Sequence, residues 1–333
     1  MLKLTIAEEH WPMKEAFRIT GYTFTHCDVM VVELERDGFL GRGEASGVYY
    51  HAESPVSLAR QIEQVRPAIE AGISRQELRR LLPPGGARCA VDCALWDLEA
   101  KESGVPAYRA AGLERLRPLP TTCTVSAASA ARMAQVARSF AGPRLKLKLT
   151  GEDDEARLSA VRQARPDAWI AVDANQGFTR DSLEALLPVL AELEVKLIEQ
   201  PVAVGREEEL RGLRSPIPLA ADESVQSLPD IARMQGFFQV VNIKLDKCGG
   251  LTEALEMARE IRRLEMTPMV GCMNGTSLSM EPAYVVGQLC EIVDLDSPMF
   301  LAEDRAAAVV YENGMIRCRE DWGFPAQRPS EVK

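Results

Sequence analysis

From about Pro118 to about Asp296 the chain repeats one rhythm, a short apolar run followed by a stretch with helical spacing. Strand-length runs centre on Thr122, Leu147, Ala171, Leu197, Ala220, Ile243, Val270 and Val293. Alternation of this kind builds a parallel sheet with helical crossovers, and eight strands suffice to close a (β/α) barrel. The intervening helices carry their own signals. Asp181 followed by Glu184 reads as a capping box ahead of Leu183, Leu186, Leu190 and Leu193, with Pro188 as an expected kink. Thr252 stands before the stripe Ala254, Ala258, Ile261 and Leu264 as a start signal.

The N-terminal part reads differently. The alternation in Val29-Met-Val-Val-Glu-Leu-Glu predicts a small antiparallel sheet, and helical patterns follow from about Pro55 to Lys101. The expected fold is α/β: a TIM-type (β/α) barrel over residues 116–304 with an N-terminal α+β capping domain over 1–115. A C-terminal segment, 305–333, is expected to return to the capping domain. A chain of 333 residues accommodates this arrangement.

Composition narrows the function classes. A formal net charge of −10 argues against a general binder of nucleic acid or anionic membrane, which needs clustered positive charge. No apolar run approaches the roughly 18 residues of a membrane helix, and the first ten residues lack a signal-peptide core. The expectation is a soluble, cytoplasmic protein with a small-molecule substrate, assembling as a homo-oligomer. Eight cysteines without a Cys-x-x-Cys pair, and only three histidines, point to free thiols rather than disulfides or a zinc site.

Position on a barrel strand decides which charges matter, because residues at the C-terminal strand ends line the active face. Asp173 closes Trp-Ile-Ala-Val-Asp, Glu199 closes Lys-Leu-Ile-Glu and Asp222 closes Leu-Ala-Ala-Asp, on three consecutive strands. Any one of these acids could cap the helix that follows. Three converging carboxylates repel one another unless a cation lies between them, and all-oxygen ligation suits Mg²⁺, one per subunit.

Strand parity sorts the lysines. Leu145, Leu147 and Leu149 share one face of their strand, and Lys146 and Lys148 share the other. With the leucines packed against helices, both lysines point into the barrel, where each is expected to depress the other's pKa towards that of a base. A lysine-bearing face also protects exposed sheet edges, but a closed barrel has none. Lys244 shares its face with Asn242 and Asp246, whereas Lys247 is expected in the loop before Gly249. Lys148 and Lys244 then lie four strands apart, on opposite sides of a bound molecule. Such a pair can remove a proton from a carbon beside a carboxylate and return one to the other face, the enediolate being stabilised by a metal ion. Asp294 and Asp296, two residues apart after the last strand, make a natural seat for a substrate ammonium, although either could cap the turn before Pro298.

Taken together, Lys146-Leu-Lys148, Val-Asp173-Ala-Asn175, Ile-Glu199-Gln-Pro, Ala-Asp222-Glu-Ser and Asn-Ile-Lys244-Leu-Asp-Lys-Cys-Gly-Gly resemble the muconate-lactonizing subgroup of the enolase superfamily. The Asp294-Leu-Asp296 pair resembles the mark of its dipeptide epimerases, the L-Ala-D/L-Glu type among them. The resemblance runs over nearly the whole chain and includes residues 87–101. It implies Mg²⁺ on Asp173, Glu199 and Asp222, with Lys148 and Lys244 as acid/base catalysts and Lys146 assisting. It also implies a dipeptide ammonium on Asp294 and Asp296, and specificity loops near 21–27 and 47–53. Where epimerases of this type can carry an arginine for a glutamate side chain, this chain has Phe24, with Tyr49 and Tyr50 in the second loop and Arg18 and His26 as the nearby cations. Phe24 and Tyr50 are therefore expected substrate contacts. The second side chain of an L,L-dipeptide substrate stays open between glutamate and a neutral or apolar group. Lyase chemistry of the o-succinylbenzoate synthase kind, cycloisomerisation, and a non-catalytic metal-containing binding protein remain as alternatives.

Overall fold

The computed structural model describes residues 2–19, 21–319 and 321–325. Its first sheet follows the alternation in the sequence: β1 (Lys3–Ile19), β2 (Tyr22–Arg36) and β3 (Phe39–Ala45) pair antiparallel in chain order. One face of this sheet packs on the helix Gly86–Ser103 at backbone distance. A Cβ on Gly43 would stand 2.1 Å from the Ala90 carbonyl oxygen, and one on Gly41 would stand 2.3 Å from that of Ala94. Only glycine permits this approach, so the two positions set how deeply the helix sits.

The hairpin of β1 and β2 is longer than the alternating motif suggests. Its register slips between Pro12 and Phe17, and pairing resumes with Phe17 opposite Phe24. Residues 22–27, expected in a loop, are thus the start of β2. The segment after β3 is irregular, with a single 3-10 turn at Tyr49–His51.

After β4 (Leu119–Pro120) come eight parallel strands: β5 (Cys123–Val125), β6 (Arg144–Lys148), β7 (Trp169–Asp173), β8 (Val195–Glu199), β9 (Leu219–Ala221), β10 (Val240–Ile243), β11 (Thr267–Gly271) and β12 (Ile292–Asp294). Each pairs with the next. The first and last come together where Thr122 N donates to the Val293 carbonyl at 3.0 Å and Leu295 N donates to Thr121 Oγ1 at 2.9 Å. Leu145 and Leu147 face the outer layer of helices and are fully buried there, as parity requires. Inside, Ala171, Leu197, Ala220, Val240 and Met269 form a separate apolar plug. Lys146, Lys148, Asp173, Glu199 and Asn242 lie nearer the C-terminal strand ends.

Two helix starts differ from expectation. The helix Arg180–Glu192 is capped by Thr179 and Ser182, each side chain accepting the other's backbone N–H, so the box lies two residues before Asp181. Pro188 sits inside this helix, which continues to Glu192. Helix Leu251–Arg263 begins from Gly250 rather than from a Thr252 cap. The Thr252 hydroxyl instead donates to Asp92 at 2.6 Å and accepts from the Trp96 indole at 2.9 Å, joining barrel to first domain.

Beyond the barrel, β13 (Val310–Glu312) pairs with β14 (Met315–Arg317), which in turn pairs with β4. The chain then reaches the N-terminal unit, where the Trp322 indole donates to the Arg42 carbonyl and Gly323 N to buried Asp97. Residues 320 and 326–333 of the expected C-terminal segment lie outside the described residues. Among the described residues no helix is long and apolar enough to cross a membrane.

Candidate active site

The strand ends bring the acids and lysines together. In register, Asp173 stands beside Glu199 and Lys148 beside Asp173. Lys146 Nζ reaches three carboxylates: Glu199 and Asp294 at 2.8 Å each and Asp173 at 3.1 Å. Lys148 Nζ lies 2.6 Å from Asp173, and Lys244 Nζ lies 2.7 Å from Asp222. Thus Lys148 and Lys244 enter the same cavity from β6 and from the end of β10, each facing an acid of the central cluster.

Lys247 differs from its expected place in a loop. It belongs to a short helix, Leu245–Cys248, and its ammonium is buried against Asp222 Oδ1 at 2.7 Å, the Asp222 carbonyl at 2.5 Å and the Asn242 carbonyl at 3.2 Å. One turn of helix carries position 247 back towards the strand end, which strand parity alone does not anticipate. Asn242 does follow parity, donating to Glu199 Oε1 at 2.9 Å.

The electrostatics follow from burial and crowding. Burial pulls Lys146 down, but Asp294, Glu199, Asp173 and Asp222 outweigh it and hold the ammonium well above the ordinary lysine value. The expected mutual depression of the lysine pair is therefore overridden at Lys146, because carboxylates rather than Lys148 dominate its surroundings. Burial raises Asp173, yet Lys148 and Lys146 bring it to about 2. Asp222 is lowered against burial by Lys244 and Lys247. Glu199 goes the other way, burial raising it to about 8 despite Lys146.

The donor set suits a hard divalent cation. Three buried carboxylates from consecutive strands supply only oxygen, and Glu199 Oε2 makes no hydrogen bond although the Lys146 ammonium lies 2.8 Å away. These features fit a cation of the Mg²⁺ kind. In the arrangement described, each acid is turned to ammonium groups, and among the described residues no three Asp, Glu, His or Cys side chains form a ready-made cage.

Asp294 and Asp296 line the same cavity and part in role. Asp294 takes Lys146 and the Thr122 hydroxyl, so its charge is already met. The Asp296 carboxyl accepts only from Thr124 among the described residues, with the backbone N–H at 2.6 Å. Burial and the neighbouring Asp294 raise its carboxyl to about 7. Phe24 lines the cavity with Phe17, Tyr49 and Phe300. Tyr50 stands behind this wall, edge-on to Tyr49 at 5.1 Å, its hydroxyl accepting from Gln226.

Two further acids shape the site, and Asp246, which parity set on one face with Asn242 and Lys244, lies instead on the helix Leu245–Cys248. Asp246 accepts from Ser46 N and Gly47 N, both at 3.0 Å, and so ties the segment bearing Tyr49 to the barrel. Glu223, beside Asp222, is raised to about 7 by burial and by that neighbour, and receives the Asn175 amide.

Comparison with known proteins matches residues 1–112 to the family model described as mandelate racemase / muconate lactonizing enzyme, N-terminal domain, and residues 126–327 to enolase C-terminal domain-like. The chain belongs to the enolase superfamily. It is 37% identical to the L-Ala-D/L-Glu epimerase of Escherichia coli, over 95% of this chain and 99% of that one. A crystal structure of an enolase family member from Agrobacterium tumefaciens with homology to dipeptide epimerases, holding sodium and L-Ala-L-Glu, superposes with a TM-score of 0.94 at 43% identity. It covers 97% of this chain and all, 100%, of that one. The dipeptide epimerase of Methylococcus capsulatus, complexed with Mg and L-Arg-D-Lys, gives a TM-score of 0.88 at 29% identity, covering 96% and 98%.

Proposed function

We propose that this enolase-superfamily chain is a Mg²⁺-dependent dipeptide epimerase that inverts the α-carbon of the C-terminal residue of an L,L-dipeptide. The observation that carries the reading is the pair of lysines, Lys148 and Lys244, facing one cavity that Asp294 and Asp296 also line. Asp173, Glu199 and Asp222 would hold the cation, which supplies electrophilic stabilisation to the negative charge that develops on the substrate carboxylate. The lysine that begins as a free amine takes the α-proton, and the lysine that begins as ammonium delivers a proton to the opposite face. The two exchange protonation states while the substrate gains and loses one proton. Lys146 holds Asp173, Glu199 and Asp294 in place through its charge, and Asp296 receives the substrate ammonium.

Phe24 and Tyr49 support a neutral or apolar second side chain. Lysines 146, 148 and 244 are the only cations that line the cavity among the described residues, so no guanidinium stands there for a glutamate side chain. The Escherichia coli and Agrobacterium tumefaciens relatives favour the other reading, a glutamate in second place. All eight cysteines are free, which supports work in the reducing cytoplasm, and a symmetric homo-oligomer is the common assembly for such enzymes.

The test is a library of L,L-dipeptides incubated in D₂O with Mg²⁺, read by mass spectrometry for α-deuterium and by chiral analysis for inversion. Exchange with inversion is the expected result, both lost on chelation, with inversion lost in Lys148→Ala and in Lys244→Ala. Absence of exchange across the library with metal bound would transfer the chain to lyase or cycloisomerase chemistry, and a clear preference for L-Ala-L-Glu would remove Phe24 from its role.

A further inference from the structure

Next to the reaction cavity, itself about 70 Å³, lies a larger one of about 540 Å³. Phe17, Phe300 and Thr124 line both. The two rings, 5.1 Å apart between centroids, stand as the partition. The larger chamber is roofed by residues 14–18, where the register of β1 slips, and floored by Met133, Val136 and Phe140.

We propose that this annexe receives the side chain of the substrate's N-terminal residue, and that the side chain it selects is apolar and larger than alanine's methyl. The inference rests on the dipeptide reading above and names the first residue, which that reading leaves open.

Position supports it. Thr124, part of the shared wall, donates its backbone N–H to Asp296 at 2.6 Å, so an ammonium seated on Asp296 sets the first α-carbon beside the partition. Chemistry supports it as well. The floor is aliphatic and aromatic, and two of the three cations at the rim are already engaged: Arg132 with Glu15 at 2.9 Å and Lys14 with the Met299 carbonyl at 2.9 Å. Among the described residues only exposed Arg18 is left there for an acidic side chain. Volume supports it too, since a methyl group would leave nearly all of a 540 Å³ chamber to water.

The experiment compares L-Leu and L-Phe with L-Ala in the first position, the second residue held constant, by kcat/KM and by calorimetric Kd. It uses the full-length wild type, Ala128→Trp and Val136→Trp, with thermal melts reporting the fold of each variant. Ala128 and Val136 line the annexe and not the reaction cavity, and two separate sites guard against one variant failing to fold. The expected result is a wild-type advantage of roughly tenfold or more for L-Leu or L-Phe over L-Ala. That ratio should collapse in either folded variant. A ratio at or below one in the wild type, a ratio unchanged in the folded variants, or a preference for an acidic first residue would overturn the proposal. Binding without turnover leaves the Kd ratios to decide. If no dipeptide binds or turns over, the dipeptide reading itself falls and this inference falls with it.

Discussion

Asp246 offers a quantitative test of how the first domain is held over the site. Its carboxylate accepts the N–H groups of Ser46 and Gly47, each at 3.0 Å, and it is almost fully buried. Burial, with Glu53 and Glu44 nearby, raises its pKa from 3.8 to about 7, against the pull of those two N–H groups. Between these values the folded state keeps a proton that the unfolded state has released. Stability therefore falls as pH rises from about 4 to 7 and levels off above, and the full difference corresponds to about 4 kcal/mol.

Asp246→Asn matches the protonated form in shape and retains an acceptor for both N–H groups. It should resemble the wild type only near pH 3, and its stability advantage should widen by about 2–3 kcal/mol between pH 5 and pH 8. Asp246→Ala removes the acceptor and strands two backbone donors, costing on the order of 2–6 kcal/mol across this range. It should also raise KM, because Tyr49 stands two residues beyond the tethered Gly47. Urea denaturation at pH 5, 6, 7 and 8 measures the first effect and steady-state kinetics the second. Stability curves for wild type and Asp246→Asn that run parallel in pH, or equal losses in the Asn and Ala variants, would refute the reasoning.

Further expectations concern the lysines and the packing beneath them. Lys148→Ala and Lys244→Ala should each lower epimerisation by roughly a hundredfold to ten-thousandfold. Each should still exchange the α-proton of one epimer only, and the two variants should prefer opposite epimers; NMR in D₂O distinguishes this from uniform loss. Lys247→Met leaves Asp222 and two carbonyls without their buried ammonium and should cost about 3–5 kcal/mol in chemical denaturation. Gly43→Ala drives a methyl into the Ala90 carbonyl oxygen and should lower stability by about 3 kcal/mol in the same assay, whereas a substitution at Gly38 meets no atom within 4 Å and carries only the strain of its positive φ.

What could be read in the chain and what could not divides along a physical line. Period-two alternation is local, so Lys146, Lys148, Lys244 and Asn242 could be assigned inward faces without knowing any contact. The three strand-end acids could be grouped because a barrel places all C-terminal ends on one face. Where backbone geometry departs from its period, local reading loses its reference. Lys247 turns inward because a single helical turn follows β10, and the hairpin resumes register only at Phe17, which puts that ring beside Phe300 and opposite Phe24. Caps behave the same way: Thr179 and Asp181 are both good candidates, and only the start of the helix chooses between them. Side chains that cross between domains are the least legible. Asp246 matters because Ser46 and Gly47 arrive beside it, and Thr252 because Asp92 and Trp96 do, although about 200 and 160 residues of chain separate these partners. The lysines and strand-end acids thus belong to the barrel's own periodicity, whereas Phe17, Phe24 and Tyr49 reach the cavity through the way the first domain docks. One fold can thus host different substrate preferences, and under the function proposed above the contacts that set this chain's preference are Phe24, Tyr49 and the Phe17–Phe300 partition.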